Sequence, residues 1–414
     1  MWKMNFSFVL PVLLVLAGCT STPTIQIAVH NSSELSRENE LVAVPLKSLQ
    51  GMHLGADDSF VILNTAGIQM PYQITYDSLL IIPVTVEAGA TVVCHMQRGV
   101  PEAFDTVSCG KYYPERLDDI AWENDKAAYR AYGPSLQQKG EKAYGYDVFT
   151  KSVNYPVVEK RYRLEMTSKA WVMVDSLREA GNLVKADSVI HSISYHVDHG
   201  NGMDCYSVGP TLGGGTSALL ADSSIVYPYC YQKYEILDNG PLRFTVRLTY
   251  PPLAVKGDTA VVESRLISLD KGSYLNRTVV RYHNLSVSRP VATGIVIHSQ
   301  HPDGYFGDAS NRYIAYADST DNPQNGNGVI YLGAVFPKPA DKLCVQLFSE
   351  TELQKYPDAL GHVLAVSRYM PETLYEYYWG SGWSKAGVKD EHMWEAYLRD
   401  YVYRMDHPLQ VTIR

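Results

Sequence analysis

The chain has 414 residues, enough for two or three ordinary domains or for one large β-rich domain carrying insertions. With 46% hydrophobic and 19% charged residues it can bury a core, which excludes a disordered chain. Its 36 basic against 44 acidic residues give a net charge of −8, which excludes a nucleic-acid binder resting on phosphate neutralisation. Tyrosine is the outlier, with 31 residues against 9 phenylalanines. It suits strands, and it also suits wet, amphipathic binding surfaces.

Residues 1–18 read as a lipoprotein signal peptide. Lys3 supplies a positive start, and Phe6 to Leu16 form an apolar stretch shorter than the roughly 20 residues a spanning helix needs. Leu16-Ala17-Gly18-Cys19 resembles a bacterial lipobox, with Cys19 as the lipid attachment point and 19–24 as a polar tether. The expectation is a chain lipid-anchored to a bacterial membrane, facing the periplasm or the cell surface. An ordinary secretory signal with an incidental Cys19 is the bland alternative. The other cysteines are Cys94, Cys109, Cys205, Cys230 and Cys344, an odd number with no zinc spacing. One Cys94–Cys109 bridge and buried free thiols are both compatible with that count.

From 25 to 110 the sequence predicts an N-terminal β-layer of short strands and turns, among them Ile25/Ile27/Val29, Phe60 to Leu63, Leu79 to Val86 and Ala90 to Met96. Residues 111–192 read as a helix-containing insertion. Leu117, Ile120, Ala121, Ala128 and Tyr132 are spaced as on a helix, and Ser168 to His191 predicts helix around a break at Gly181. From 193 to 414 strands dominate: Leu242 to Tyr250, then a hairpin turning at Asp270-Lys271-Gly272, then Val291 to Ser299, Val329 to Phe336 and Leu343 to Phe348. A last helix fits Asp390 to Tyr401. The expected fold is mainly β, a large antiparallel β-sandwich with a few inserted helices and a C-terminal helix, with 25–414 as one integrated domain.

Three stretches are distinctive together: Pro114-Glu115-Arg116 through Trp122-Glu123-Asn124-Asp125 to Gly133-Pro134, Tyr195-His196-Val197-Asp198-His199-Gly200 through Asp204 to Gly215, and Asp238 to Arg243. With the lipobox they resemble an uncharacterised bacterial lipoprotein family known as a domain of unknown function. That resemblance implies a genetic setting among enzymes that dismantle polysaccharides, often uronic-acid-rich ones. The later region is similar to the galactose-mutarotase-like supersandwich shared by sugar epimerases, some lyases and some glycosidases, although no mutarotase catalytic pair aligns here.

Three constellations could carry chemistry. His196, His199, Asp198 and Asp204 lie within nine positions and are followed by glycines; a histidine there can serve as general base, and the same pattern fits a turn that caps itself. Trp122, Glu123, Asp125 and Arg130 form the second, where Glu123 needs a distant carboxylate to make a hydrolytic pair and otherwise serves structure. On the late strands Arg277, Arg281 and His283 share one face, and His298 shares another with Gln300; these suit an anionic sugar or a solvated face. Trp379 and Trp383 read as a sugar-stacking rim or as the dock for the last helix.

The leading expectation is β-elimination on a uronic-acid-containing glycan. His196, His199, Glu123 and Tyr206 are the candidate catalytic groups, with Trp122, Asp125, Arg130, Asp204, Arg243, His298, Trp379 and Trp383 binding the substrate. Hydrolysis of the same glycans is the runner-up, followed by a non-catalytic glycan-binding lipoprotein and by sugar epimerisation. No cofactor is required; a divalent ion near Asp198 and Asp204 is the minor alternative. The expected partners are an acidic glycan and, through the anchor, a membrane.

Overall fold

The computed structural model describes residues 24–52, 58–320, 323–356 and 358–414. The signal peptide, Cys19 and the tether up to 23 lie outside the described residues, and no described helix is long and apolar enough to cross a membrane.

Strand alternation builds a small sandwich first. One layer pairs Gln410–Ile413, Thr24–His30, Thr91–Arg98, Phe60–Leu63 and Gln69–Met70; the other pairs Arg37–Pro45, Leu79–Val86 and Gln73–Ile74. Ile27, Val29, Ile62, Leu80 and Ile82 point between the layers and are fully buried. The strand that completes the first layer comes from the far end of the sequence, with Ile27 opposite Ile413.

The larger body is an antiparallel supersandwich, as the alternation from Leu242 onwards predicts. A five-stranded sheet, ordered Ser224–Val226, Gly214–Ala221, Arg289–His298, Ala359–Tyr369 and Lys342–Leu347, faces a nine-stranded one. The centre of the nine-stranded sheet is Arg243–Thr249, Asp258–Asp270, Leu275–His283, Tyr375–Trp383 and Ile330–Val335. Val246, Ile267, Val280, Ile295 and Leu332 fill the space between. Each such side chain contributes about 1.5–3 kcal/mol by leaving water. The final helix, Glu391–Asp406, lies on the outer face of the nine-stranded sheet through Trp394 and Leu398, and the Asp390 side chain caps it by accepting from the Met393 N–H at 2.8 Å.

Between these bodies, 114–132 departs from its helical spacing. Apart from the short 3-10 turn Pro114–Arg116, the segment makes strands Asp119–Glu123 and Ala128–Ala131, joined with Cys109–Tyr113 and Asp147–Phe149 in a four-stranded sheet. Asn124 explains the break: its side-chain oxygen accepts from the N–H groups of Lys126 and Ala127, which closes a tight turn where a helix would have continued. The inner face of this sheet, Ile120, Trp122, Tyr129 and Val148, joins the main core. The outer face is covered by helix Val158–Glu165, with Ser168–Glu179 and Leu183–Ile193 beyond it, broken at Gly181 as expected. The five described cysteines beyond Cys19 are free thiols.

Candidate functional site

The outward face of the four-stranded sheet carries an ionic cluster that the strand period creates. Asp119 and Ala121 share that face, Arg130 stands opposite Ala121 on the next strand, and Asp147 stands opposite Arg130 on the strand after it. Arg130 donates from Nε to Asp147 at 2.8 Å and from Nη2 to Asp204 at 3.1 Å, and its Nη1 lies 3.6 Å from Asp119. All four side chains are buried. One guanidinium against three carboxylates makes a buried pocket with excess acid. Burial pushes the Asp119 pKa up to about 6 against the lowering pull of Arg130 and Arg116. The backbone just before it is strained, since Leu117 and Asp118 both sit at positive φ (59° and 65°), a conformation unfavourable to side chains with a Cβ.

The rim of the cluster is more open. The Tyr132 hydroxyl accepts from Arg130 at 3.2 Å and donates to Asp147 at 3.0 Å; burial drives its pKa well above the ordinary phenol value, so it stays protonated at neutral pH. His196 has a side chain 51% exposed, lying 3.9 Å from the Asp204 carboxylate. Its Nδ1 is 3.0 Å from the Asp204 carbonyl oxygen. A carbonyl only accepts, so Nδ1 carries the proton and Nε2 keeps the lone pair in the neutral ring. Tyr195 packs on His196 with ring centroids 4.4 Å apart, and the Arg116 guanidinium lies 4.8 Å from the Tyr195 ring on an arm 24% exposed. A cavity of about 370 Å³ opens beside this group, lined by Tyr113, Glu115 and Tyr162. The first two distinctive motifs therefore meet, while the third does not. Asp238 accepts from the Tyr76 N–H and Arg243 pairs Asp270, both on the side facing the small sandwich.

Several expected roles are corrected by burial. Glu123 is 3% exposed and accepts from Lys151 Nζ at 2.7 Å and from the N–H groups of Val157 and Val158, so it caps a helix start and cannot reach a substrate. Trp122 is fully buried, donates to Asn276 at 2.7 Å and stacks on Phe244. Trp379 is fully buried against Tyr146, 4.1 Å away, and Trp383 donates to the Asn327 carbonyl. No sugar face can reach these three indoles, which are core rather than rim. Asp125 accepts from the Gly272 N–H and joins two turns. His199 and Asp198 hold their own loop, His199 at the Ser194 carbonyl and Asp198 accepting from the Gly200 and Gly202 N–H groups. Glycines 213–215 serve close packing, since a Cβ on Gly213 would meet the Tyr146 carbonyl at 2.5 Å and one on Gly215 the Trp379 Cβ at 2.8 Å. Asp198 and Asp204 are thus engaged separately, and among the described residues no group of three or more His, Cys, Asp or Glu is arranged to hold a metal ion.

His298 and Tyr206 form a second polar centre at the end of the sandwich. His298 Nδ1 donates to Asp318 at 2.8 Å; burial lowers its pKa, but the Asp318 carboxylate more than offsets this and the net direction is up. The Tyr206 ring meets His298 edge-on at 5.6 Å. Sequence reading missed Arg116, Asp119, Tyr132 and Asp147. Arg116 stood inside a quoted motif, and Asp119 and Glu123 carried a period of two around Ala121, which was the available signal.

A family model described as "Domain of unknown function (DUF4861)" matches residues 29–411. The chain belongs to this family. The match spans both sandwiches and the ionic cluster, and agrees with the motifs in pointing to a domain of unknown function. Another relative of this DUF4861 chain is "Uncharacterized protein P7" of Formosa agariphila, 24% identical over 407 residues, covering 94% of this chain and 93% of that one. Among solved structures, an α-mannosidase from Enterococcus faecalis V583 matches with a TM-score of 0.43 and 8% identity, over 95% of this chain and 46% of the other. A protein in glycosyl hydrolase family 38 from Enterococcus faecalis matches with a TM-score of 0.46 and 6% identity, over 95% and 47%. The chain spans about half the length of these two structures, and at such scores neither lends it an activity.

Proposed function

We propose that this DUF4861 protein cleaves a uronic-acid-containing glycan by β-elimination at the Arg116–His196–Arg130 cluster. The observation that carries the reading is the tautomer of His196, whose Nε2 is a basic nitrogen on a half-exposed ring beside a buried ionic cluster. In the reaction His196 Nε2 takes the C5 proton, the electron pair left behind forms the C4–C5 double bond, and the C4–O bond breaks. The departing oxygen takes a proton from the Tyr132 hydroxyl. Arg116 is the guanidinium for the substrate carboxylate: it bonds the Tyr195 hydroxyl and meets Glu165 only at 3.9 Å, whereas Arg130 and Arg243 are held by aspartates at hydrogen-bond distance. Hydrolysis remains the second reading, favoured by the surplus of carboxylates around Arg130, although Asp119 is as buried as Glu123 and would act only through Arg130.

One assay separates the readings. The protein is incubated with oligomers of galacturonate, mannuronate and guluronate, and glucuronate, and the absorbance of the unsaturated product is followed beside the count of new reducing ends. Elimination gives both; hydrolysis gives reducing ends without the chromophore; no product from any substrate overturns both. His196→Ala is expected to lower kcat at least a hundredfold with an unchanged melting temperature. A large loss of stability with residual activity intact would return His196 to a purely structural role.

A further inference from the structure

A groove runs over the outer face of the nine-stranded sheet, between the small sandwich and helix Glu391–Asp406. It consists of two cavities of about 780 and 320 Å³, and a third of about 620 Å³ opens alongside. Volumes of this order, at the junction of two bodies, are typical of ligand sites. Lys271, at the tip of the hairpin between Asp258–Asp270 and Leu275–His283, lines all three. One wall is a run of tyrosines. Tyr274, Tyr397, Tyr401 and Tyr378 follow one another with ring centroids 5.2, 6.1 and 5.2 Å apart, and each keeps part of its surface open. Successive ring planes are turned 89°, 51° and 58° from one another, so the wall offers separate aromatic patches and not one flat platform, and a sugar ring can pack on the open part of each.

The charges along the groove are set in a particular way. Arg243 binds Asp270 through Nε and Nη2, and Arg277 binds Glu376 through the same two nitrogens, so each guanidinium is held flat while its Nη1 group is not used in the pair. Glu40 is held by Arg37 at 3.1 Å, and Glu38 stands exposed on the far wall. Lys271 is exposed and has no ion-pair partner among the described residues.

We infer that this groove is a second glycan site, which binds an extended acidic oligosaccharide with its sugar faces on the tyrosine run and an anionic substituent at Lys271. The inference rests on the glycan class proposed above and shares no residue with the proposed reaction. It holds the polymer; the Arg116–His196–Arg130 cluster acts on it.

The test uses the full chain and its His196→Ala variant, with polygalacturonate, alginate and chondroitin sulfate as probes, in affinity electrophoresis and titration calorimetry. His196→Ala is expected to bind at least one probe as the wild type does. Adding Lys271→Glu or Tyr378→Ala is expected to weaken that binding at least tenfold. Lys271→Glu alters only an exposed side chain, so its result stands even where Tyr378→Ala loses stability. Unchanged binding in Lys271→Glu, or no binding of any probe by His196→Ala, overturns the groove. Retained binding with no cleavage product overturns the proposed reaction and leaves the groove standing.

Discussion

Glu123 and Lys151 stand together in the interior, and each is costly without the other. The carboxylate satisfies an ammonium and two backbone N–H groups, so removing it strands a charge below the surface. Glu123→Ala is expected to cost about 3–5 kcal/mol in urea denaturation, and a fall in kcat without that cost would give Glu123 a chemical role after all. Asp119 yields a pH prediction. Its pKa in the fold, about 6, lies above its ordinary 3.8, so folding favours the protonated form. Its contribution is therefore complete below about pH 4 and is lost as the pH rises through 6, a change of up to about 3 kcal/mol. Asp119→Asn is expected to flatten that decline, and urea midpoints from pH 4 to 7 for both proteins check it. At this scale the sequence was partly legible. His196, Arg130 and Asp204 stood out because polar groups crowd their neighbourhoods. Trp379 and Trp383 misled, because an aromatic run with glycines looks the same whether it lines a rim or packs a core.

Among the elements, the late strands and the last helix could be read directly. Leu242 to Tyr250 alternates strictly, and the apolar positions Trp394 and Leu398 are a helical turn apart. The hairpin 119–131 could not, because five apolar residues happened to fall at helical intervals while the deciding signal was Asn124 and its side-chain turn. The cap of the last helix can be measured. Asp390→Ala removes the acceptor for the Met393 N–H and is expected to cost about 1 kcal/mol by urea denaturation. Since that helix also carries Tyr397 and Tyr401, the same variant is expected to weaken glycan binding in the groove slightly, with cleavage of short oligomers unchanged.

For the whole molecule, the return of Gln410–Ile413 completes one layer of the small sandwich, a body whose other strands carry one wall of the groove. Four residues give no hint in sequence of a partner so far away, so this closure was not legible. Removing 409–414 would bare the edge of Thr24–His30. The small sandwich is then expected to melt ahead of the supersandwich, giving two calorimetric transitions in place of one, and the groove is expected to lose affinity with the first. A single transition at the wild-type temperature would show that the small sandwich does not depend on this strand.

The same closure also has a consequence in time. Bringing Ile413 beside Ile27 closes a loop of almost the entire described chain, and such a loop is entropically expensive until the intervening strands have collapsed. The other strands of the small sandwich pair locally, so what must come late is the docking of Gln410–Ile413. Until then the edge of Thr24–His30 stays open to pairing with another chain.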